Sequence, residues 1–124
     1  MKLFKSHKSE FGDGEQVRYF VYVKDAVALT IWLGENLDVN GVFNCGAGIP
    51  RTWVDLVTAV FTAMGLKPNI EFIDMPEHLR DKYQYYTRAQ MRKISDVGFE
   101  HTFLTLEEGI QDYVSNYLAQ YSLQ

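Results

Sequence analysis

The sequence predicts an α/β fold, a small sheet with flanking helices, on three observations. Residues Val17 to Val23 form a nearly continuous β-branched and aromatic run that passes directly into a helical pattern. A second apolar stretch, Gly41 to Asn44, ends at a glycine turn, Gly46-Ala47-Gly48. Strand and helix patterns then alternate along the rest of the chain. Such folds bind ligands at strand ends, so Arg18 and the glycine turn mark the expected site. Neither a Gly-x-Gly-x-x-Gly phosphate loop nor a Tyr-x-x-x-Lys pair occurs. The chain therefore reads as the substrate-binding part of something larger.

Taken in order, Lys2 to Lys5 is too short to assign, and Gly12-Asp13-Gly14 is a turn by its glycine content. Val17 to Val23 is expected as a strand buried on both faces. Asp25 is expected to cap a helix with Val27, Ala28, Ile31 and Trp32 along one face, ending near Asn36. Gly41 to Asn44 follows as a short strand. Thr52 with Asp55 three positions on forms a weakened capping box, and Trp53, Leu56, Val57, Val60, Phe61 and Met64 recur at helical spacing until Gly65. After Lys67-Pro68, Ile70 to Ile73 alternates as a strand, and Pro76 to Tyr86 is a polar loop. Thr87 with Gln90 opens a short helix through Met91 and Ile94 that Gly98 closes. Thr105 with Glu108 opens the last helix, striped by Leu106, Ile110, Tyr113, Val114, Tyr117 and Leu118. No internal repeat or linker appears, so residues 1–124 are expected to form one unit.

Composition excludes several function classes. An apolar content of 47% and an aromatic content of 15% over 124 residues argue against disorder and for one domain with its own core. A formal charge of −4 without a basic block argues against nucleic-acid binding, because phosphates demand clustered Lys and Arg. The longest apolar run, Ala26 to Leu33, is broken by Thr30 and is too short to span a bilayer. No apolar stretch follows the basic residues at the start, so no secretory signal is read and a cytoplasmic location is expected. The lone Cys45 lacks spaced partners and is expected to be a small buried apolar residue. His7, His78 and His101 are far apart and suggest no metal set. Asn44 is expected to bond backbone at a strand end. No nucleophile, base and orienter stand together, so no catalytic residue is assigned.

Positive charge is concentrated at Arg18, at Arg51 after the glycine turn, and at Arg80 with Lys82 in the polar loop. Guanidinium groups bind phosphate oxygens in bidentate pairs, which makes a diphosphate the natural ligand for such a set. Arg51 is better read as a solvated surface charge, whereas Arg18 adjoins a buried strand. Arg80-Asp81-Lys82-Tyr83-Gln84-Tyr85-Tyr86-Thr87 places three tyrosines within four positions. A tyrosine offers a flat apolar face to a base and a hydroxyl to phosphate or sugar. At least one of these rings is expected in the core, and Tyr83 is the candidate for ligand contact.

Three stretches carry a resemblance: Arg18-Tyr19-Phe20-Val21-Tyr22-Val23-Lys24-Asp25, Gly41-Val42-Phe43-Asn44-Cys45-Gly46-Ala47-Gly48, and Lys82-Tyr83-Gln84-Tyr85-Tyr86-Thr87-Arg88-Ala89. In this order and spacing they resemble the C-terminal portion of the extended short-chain dehydrogenase/reductases, a Rossmann-type fold. Ile70-Glu71-Phe72-Ile73-Asp74-Met75-Pro76 and Leu104-Thr105-Leu106-Glu107-Glu108-Gly109 direct the resemblance to the ADP-L-glycero-D-manno-heptose 6-epimerase family within them. It implies an NADP-dependent epimerase acting on an ADP-sugar for lipopolysaccharide core synthesis. The cofactor and the catalytic Tyr/Lys belong to an N-terminal dinucleotide-binding half that is absent here. This fragment is therefore expected to hold no cofactor and to be inactive alone. Arg18 matches the position of the family's phosphate-binding arginine, and Tyr83 lies in the loop that closes on the ADP moiety. Arg80 and Lys82 neighbour that loop. Tyr19 and Cys45 depart from the family's usual aspartate and leucine. A face intended for the missing half is expected to favour a homo-oligomer. The alternatives are another sugar-nucleotide epimerase or dehydratase, and a non-catalytic interaction module that keeps the scaffold.

Overall fold

Two short ladders carry the strands in the computed structural model, which describes residues 1–118. β1 (Lys2–Phe4) pairs in parallel with β4 (Glu71–Ile73), with Leu3 opposite Phe72. Lys5 N extends this ladder by donating to Ile73 O at 2.8 Å. β2 (Val17–Arg18) pairs antiparallel with β3 (Arg51–Thr52), and on its other side Val17 bridges Tyr86. The turn ahead of β2 requires Gly14, whose φ of +73° is left-handed. A Cβ there would lie 2.7 Å from Val54 and 2.9 Å from Phe72. The backbone of this turn thus packs directly against Val54 and β4.

The expected strand from Val17 to Val23 is only two residues long. A ladder needs a partner, and none accompanies Tyr19 to Tyr22 among the described residues. Val23 instead begins α1 (Val23–Glu35), which ends at Asn36 as expected. The cap assignment for Asp25 is also corrected. Tyr22 occupies the cap position, and Asp25 lies in the first turn with its carboxylate turned inward. Only 3% exposed, Asp25 accepts from Leu104 N at 3.1 Å and bonds His101 Nε2 at 2.8 Å. Those distant partners outcompete the local cap. The buried face of α1 carries Leu29, with Trp32 and Leu33 packed against the core, while Val27 and Ile31 are exposed. Gly41 to Asn44 forms no strand, because side chains take the groups a ladder would use. Lys93 Nζ donates to Val42 O at 2.8 Å, and Asn44 Nδ2 donates to Gln90 O at 3.2 Å.

Both capping boxes form in full. Thr52 with Asp55 opens α2 (Trp53–Ala63), and Thr105 with Glu108 opens α5 (Leu106–Tyr113). Gly65, at φ +68°, follows the end of α2. α5 runs on into a π-helical turn, Val114–Leu118. The Pro76 to Tyr86 loop contains α3 (Glu77–Arg80), and α4 (Arg92–Asp96) starts after Met91, later than Thr87 implies. Leu29, Ile94 and Phe99 form a buried core against which Phe43, Cys45 and Phe103 pack. Burial pushes the Cys45 thiol up, which keeps it protonated and packing as an apolar group. Among the described residues, no helix is long and apolar enough to cross a membrane.

A polar clasp joins the start of α1 to α5. Asp112 accepts from Lys24 Nζ at 2.6 Å, from the Tyr22 hydroxyl, and from Asn116 Nδ2 at 2.8 Å. The Lys24 bond, then those from Tyr22 and Asn116, bring the Asp112 carboxyl down to about 2. A carboxyl depressed in the folded state adds stability above the usual carboxylate range, and that contribution is lost as pH falls toward about 2. Titration by carbon-detected NMR is expected to show this depressed midpoint, and Asp112→Asn to flatten part of the acid limb of stability. An Asp112 that titrates in the ordinary range removes the clasp from acid unfolding.

Candidate functional site

Arg18 and Tyr83, separated by a long stretch of sequence, meet in space. β2 presents Arg18 beside the loop after α3, and the guanidinium carbon lies 5.3 Å from the Tyr83 ring centroid. The Trp53 ring, at the first residue of α2, lies 5.9 Å away on the same group. Nη1 of Arg18 donates to Val17 O at 2.8 Å, which fixes the rest of the fork. Cation–π contacts and this bond hold the charge without an acidic partner, because no ion pair involves Arg18 among the described residues. A guanidinium held this way is free to accept an anion.

The three tyrosines divide by role. Tyr83 stands edge-on to Phe4, with ring centroids 6.1 Å apart, and to Tyr85 at 5.7 Å. Tyr85 is buried, and its hydroxyl accepts from His7 N at 2.9 Å and bonds His7 Nδ1 at 2.7 Å. Tyr85 thereby pins the loop after β1 to the core. Tyr86 is exposed, and its hydroxyl bonds that of Tyr19 at 3.3 Å.

The two rings that Arg18 contacts, Trp53 and Tyr83, also wall a cavity of about 330 Å³ together with Lys2, Leu3, Phe4, Gln16 and Ile73, whereas Arg18 itself is not among its walls. Its walls are apolar and aromatic with few polar groups, the composition of a small-molecule pocket. Two of these residues were not legible as site residues. Trp53 reads as one position of the apolar stripe of α2, and Gln16 carries no sequence signal. The indole N–H of Trp53 is the one buried side-chain polar atom without a partner among the described residues.

Arg51, Arg80 and Lys82 do not line this cavity. Arg80 Nε donates to Met75 O at 3.1 Å and so braces its own loop, and exposed Lys82 lies outside the cavity wall. Arg51 ties α2 to α5, bonding Glu107 through both terminal nitrogens and Asp55 through Nε at 3.3 Å. Its guanidinium holds the Glu107 carboxyl below the usual range. A second concavity of about 300 Å³ lies between α1 and α5, lined by apolar groups such as Phe20, Val21, Leu56 and Ile110. Exposed Val23, Val27 and Ile31 continue an apolar stripe along α1.

No protein-family model matches the chain. A curated relative, the ADP-L-glycero-D-manno-heptose-6-epimerase of Nitratidesulfovibrio vulgaris, is 55% identical over 119 residues, which is 96% of this chain and 37% of the relative. The solved structure of the enzyme of that name from Helicobacter pylori superposes on 96% of the chain with a TM-score of 0.69 at 27% identity, covering 33% of the solved chain. The chain is homologous to the C-terminal portion of the ADP-L-glycero-D-manno-heptose-6-epimerases. Its fold is that portion of the extended short-chain dehydrogenase/reductases, as a UDP-N-acetylglucosamine 4-epimerase from Methanobrevibacter ruminantium also shows, with a TM-score of 0.72 over 89% of this chain. The chain spans about 37% of the length of the curated epimerase it matches.

Proposed function

We propose that the chain is the sugar-nucleotide-binding part of an ADP-L-glycero-D-manno-heptose 6-epimerase. The observation that carries this reading is the placement of Arg18 against Tyr83 and Trp53, beside an apolar cavity of about 330 Å³. Guanidinium and cavity together offer a diphosphate an anchor and a base an apolar slot. On this reading the full-length enzyme interconverts the D-glycero and L-glycero forms of ADP-manno-heptose by transient oxidation, for lipopolysaccharide core synthesis. The relatives' names support an ADP-sugar as substrate. A nicotinamide cofactor does not fit the residues of this chain, which lacks a glycine-rich phosphate loop. The proposal therefore places the cofactor, NADP, outside this chain and derives no step through it. Its finer elements are inactivity of the chain alone, roles for Arg80 and Lys82 near the ligand, a cytoplasmic site and a homo-oligomeric assembly. One domain over residues 1–124 belongs to the same reading.

Calorimetric titration tests it directly. ADP is expected to bind the chain, and to bind more tightly than UDP in competition. Tyr83→Phe keeps the ring contact with Arg18 and removes the hydroxyl, so a modest weakening of about 3–10-fold is expected for one hydrogen bond lost. Equal affinity for ADP and UDP favours another sugar-nucleotide enzyme, and failure to bind either nucleotide overturns the reading in favour of an interaction module.

A further inference from the structure

We infer that the side-chain amide of Gln16 reads the edge of the ligand's base and so determines nucleotide specificity, an inference that rests on the cavity being a nucleotide site. Gln16 is 1% exposed, yet it lines the cavity beside Arg18. Its side chain makes one hydrogen bond among the described residues, from Nε2 to Phe4 O, at a long 3.4 Å. That carbonyl already accepts from Gly14 N at 3.2 Å, so Phe4 does not depend on Gln16 for satisfaction.

A carboxamide has two donor hydrogens and an acceptor oxygen. One hydrogen is committed to Phe4, and no described residue donates to Oε1, which is not among the fully buried unpartnered atoms and so remains reachable from the cavity. The other walls are Leu3, Phe4, Ile73, Trp53, Tyr83 and Lys2, whose polar groups are the Trp53 indole N–H, the Tyr83 hydroxyl and the Lys2 ammonium. Among these groups the Gln16 carboxamide presents a donor and an acceptor side by side. Adenine presents an exocyclic N6 donor beside the N7 acceptor, and this pair complements an amide oxygen and an amide N–H. The rest of the site supports the same assignment, since Arg18 supplies positive charge for phosphate and not for a base.

The test compares ADP with N6,N6-dimethyl-ADP, which lacks the N6 donor, on the wild-type chain and on Gln16→Leu. Wild type is expected to prefer ADP by about 10-fold. In Gln16→Leu the two nucleotides are expected to bind within about 2-fold of each other, while inorganic pyrophosphate binds both proteins alike. A preference that survives the substitution overturns the inference, as does a wild type that binds both nucleotides equally. Should Gln16→Leu not fold, the Gln16 side-chain NH2 signals of wild type decide. They are expected to shift with ADP and stay in place with pyrophosphate, and no shift with ADP overturns the inference. Wild type that binds ADP and N6,N6-dimethyl-ADP equally, and both more tightly than pyrophosphate, leaves the nucleotide site intact and removes only Gln16. Wild type that binds neither removes the nucleotide reading and this inference with it.

Discussion

Arg18→Ala is expected to weaken ADP binding about 10–100-fold, the loss of one or two charge-assisted hydrogen bonds to phosphate. The substitution removes the cation whose only described hydrogen bond is to Val17 O and which lies against the Tyr83 and Trp53 rings. Arg18→Lys is expected to recover only part of the affinity, because an ammonium cannot reproduce the planar fork between two rings. Isothermal calorimetry against ADP measures both, with circular dichroism confirming that the fold persists. β2 is held by backbone pairing to Thr52 and Tyr86, so the truncation leaves its ladder in place. Unchanged affinity in Arg18→Ala removes the residue from the site.

Asp25→Ala is expected to destabilise the fold by about 3 kcal/mol, which lowers Tm by roughly 10 °C for a domain of this size. The carboxylate joins the first turn of α1 to the segment that precedes α5, by way of His101 and Leu104. Removing it leaves the part-buried Leu104 N–H without its acceptor and frees His101, which is stacked on Phe99 with ring centroids 5.6 Å apart. Asp25→Asn retains one oxygen for Leu104 and is expected to cost less. Guanidinium denaturation of the two variants gives the comparison, and an Asp25→Ala midpoint equal to wild type rules out this role. ADP affinity is expected to change little, because neither Asp25 nor His101 lines the cavity.

Local signals in the sequence were the ones that survived folding. Thr52 with Asp55 and Thr105 with Glu108 mark true helix starts because a capping box is complete within four residues. The run from Val17 to Val23 misleads because apolar content is read from the chain, whereas a strand depends on a neighbour that only the fold supplies. Asp25 fails as a cap for the same reason, its preference overridden by a partner 79 residues away. At the site, Arg18 and Tyr83 were legible from an arginine on a strand and a tyrosine-rich loop. Arg80 was equally conspicuous, yet its fold assigns it to the Met75 carbonyl. Gln16 and Trp53 were hidden because a buried glutamine and a helical tryptophan look in sequence like a turn residue and a core residue. Their position against one cavity is a property of the β1 and β4 pairing, not of their neighbours in the chain.

That cavity is assembled from widely separated stretches, with walls at Leu3, Gln16, Trp53, Ile73 and Tyr83. β1 must find β4 across nearly the whole intervening chain before the first and fourth of these walls face each other. Closing so long a loop is slow, and its entropy must be met before any contact rewards it. A partly folded chain therefore has no half-made pocket with residual affinity. Ligand and native topology appear together, so any nucleotide that fills the slot acts on the folding equilibrium of the whole molecule. At 100 times its Kd it adds about 2.7 kcal/mol to global stability.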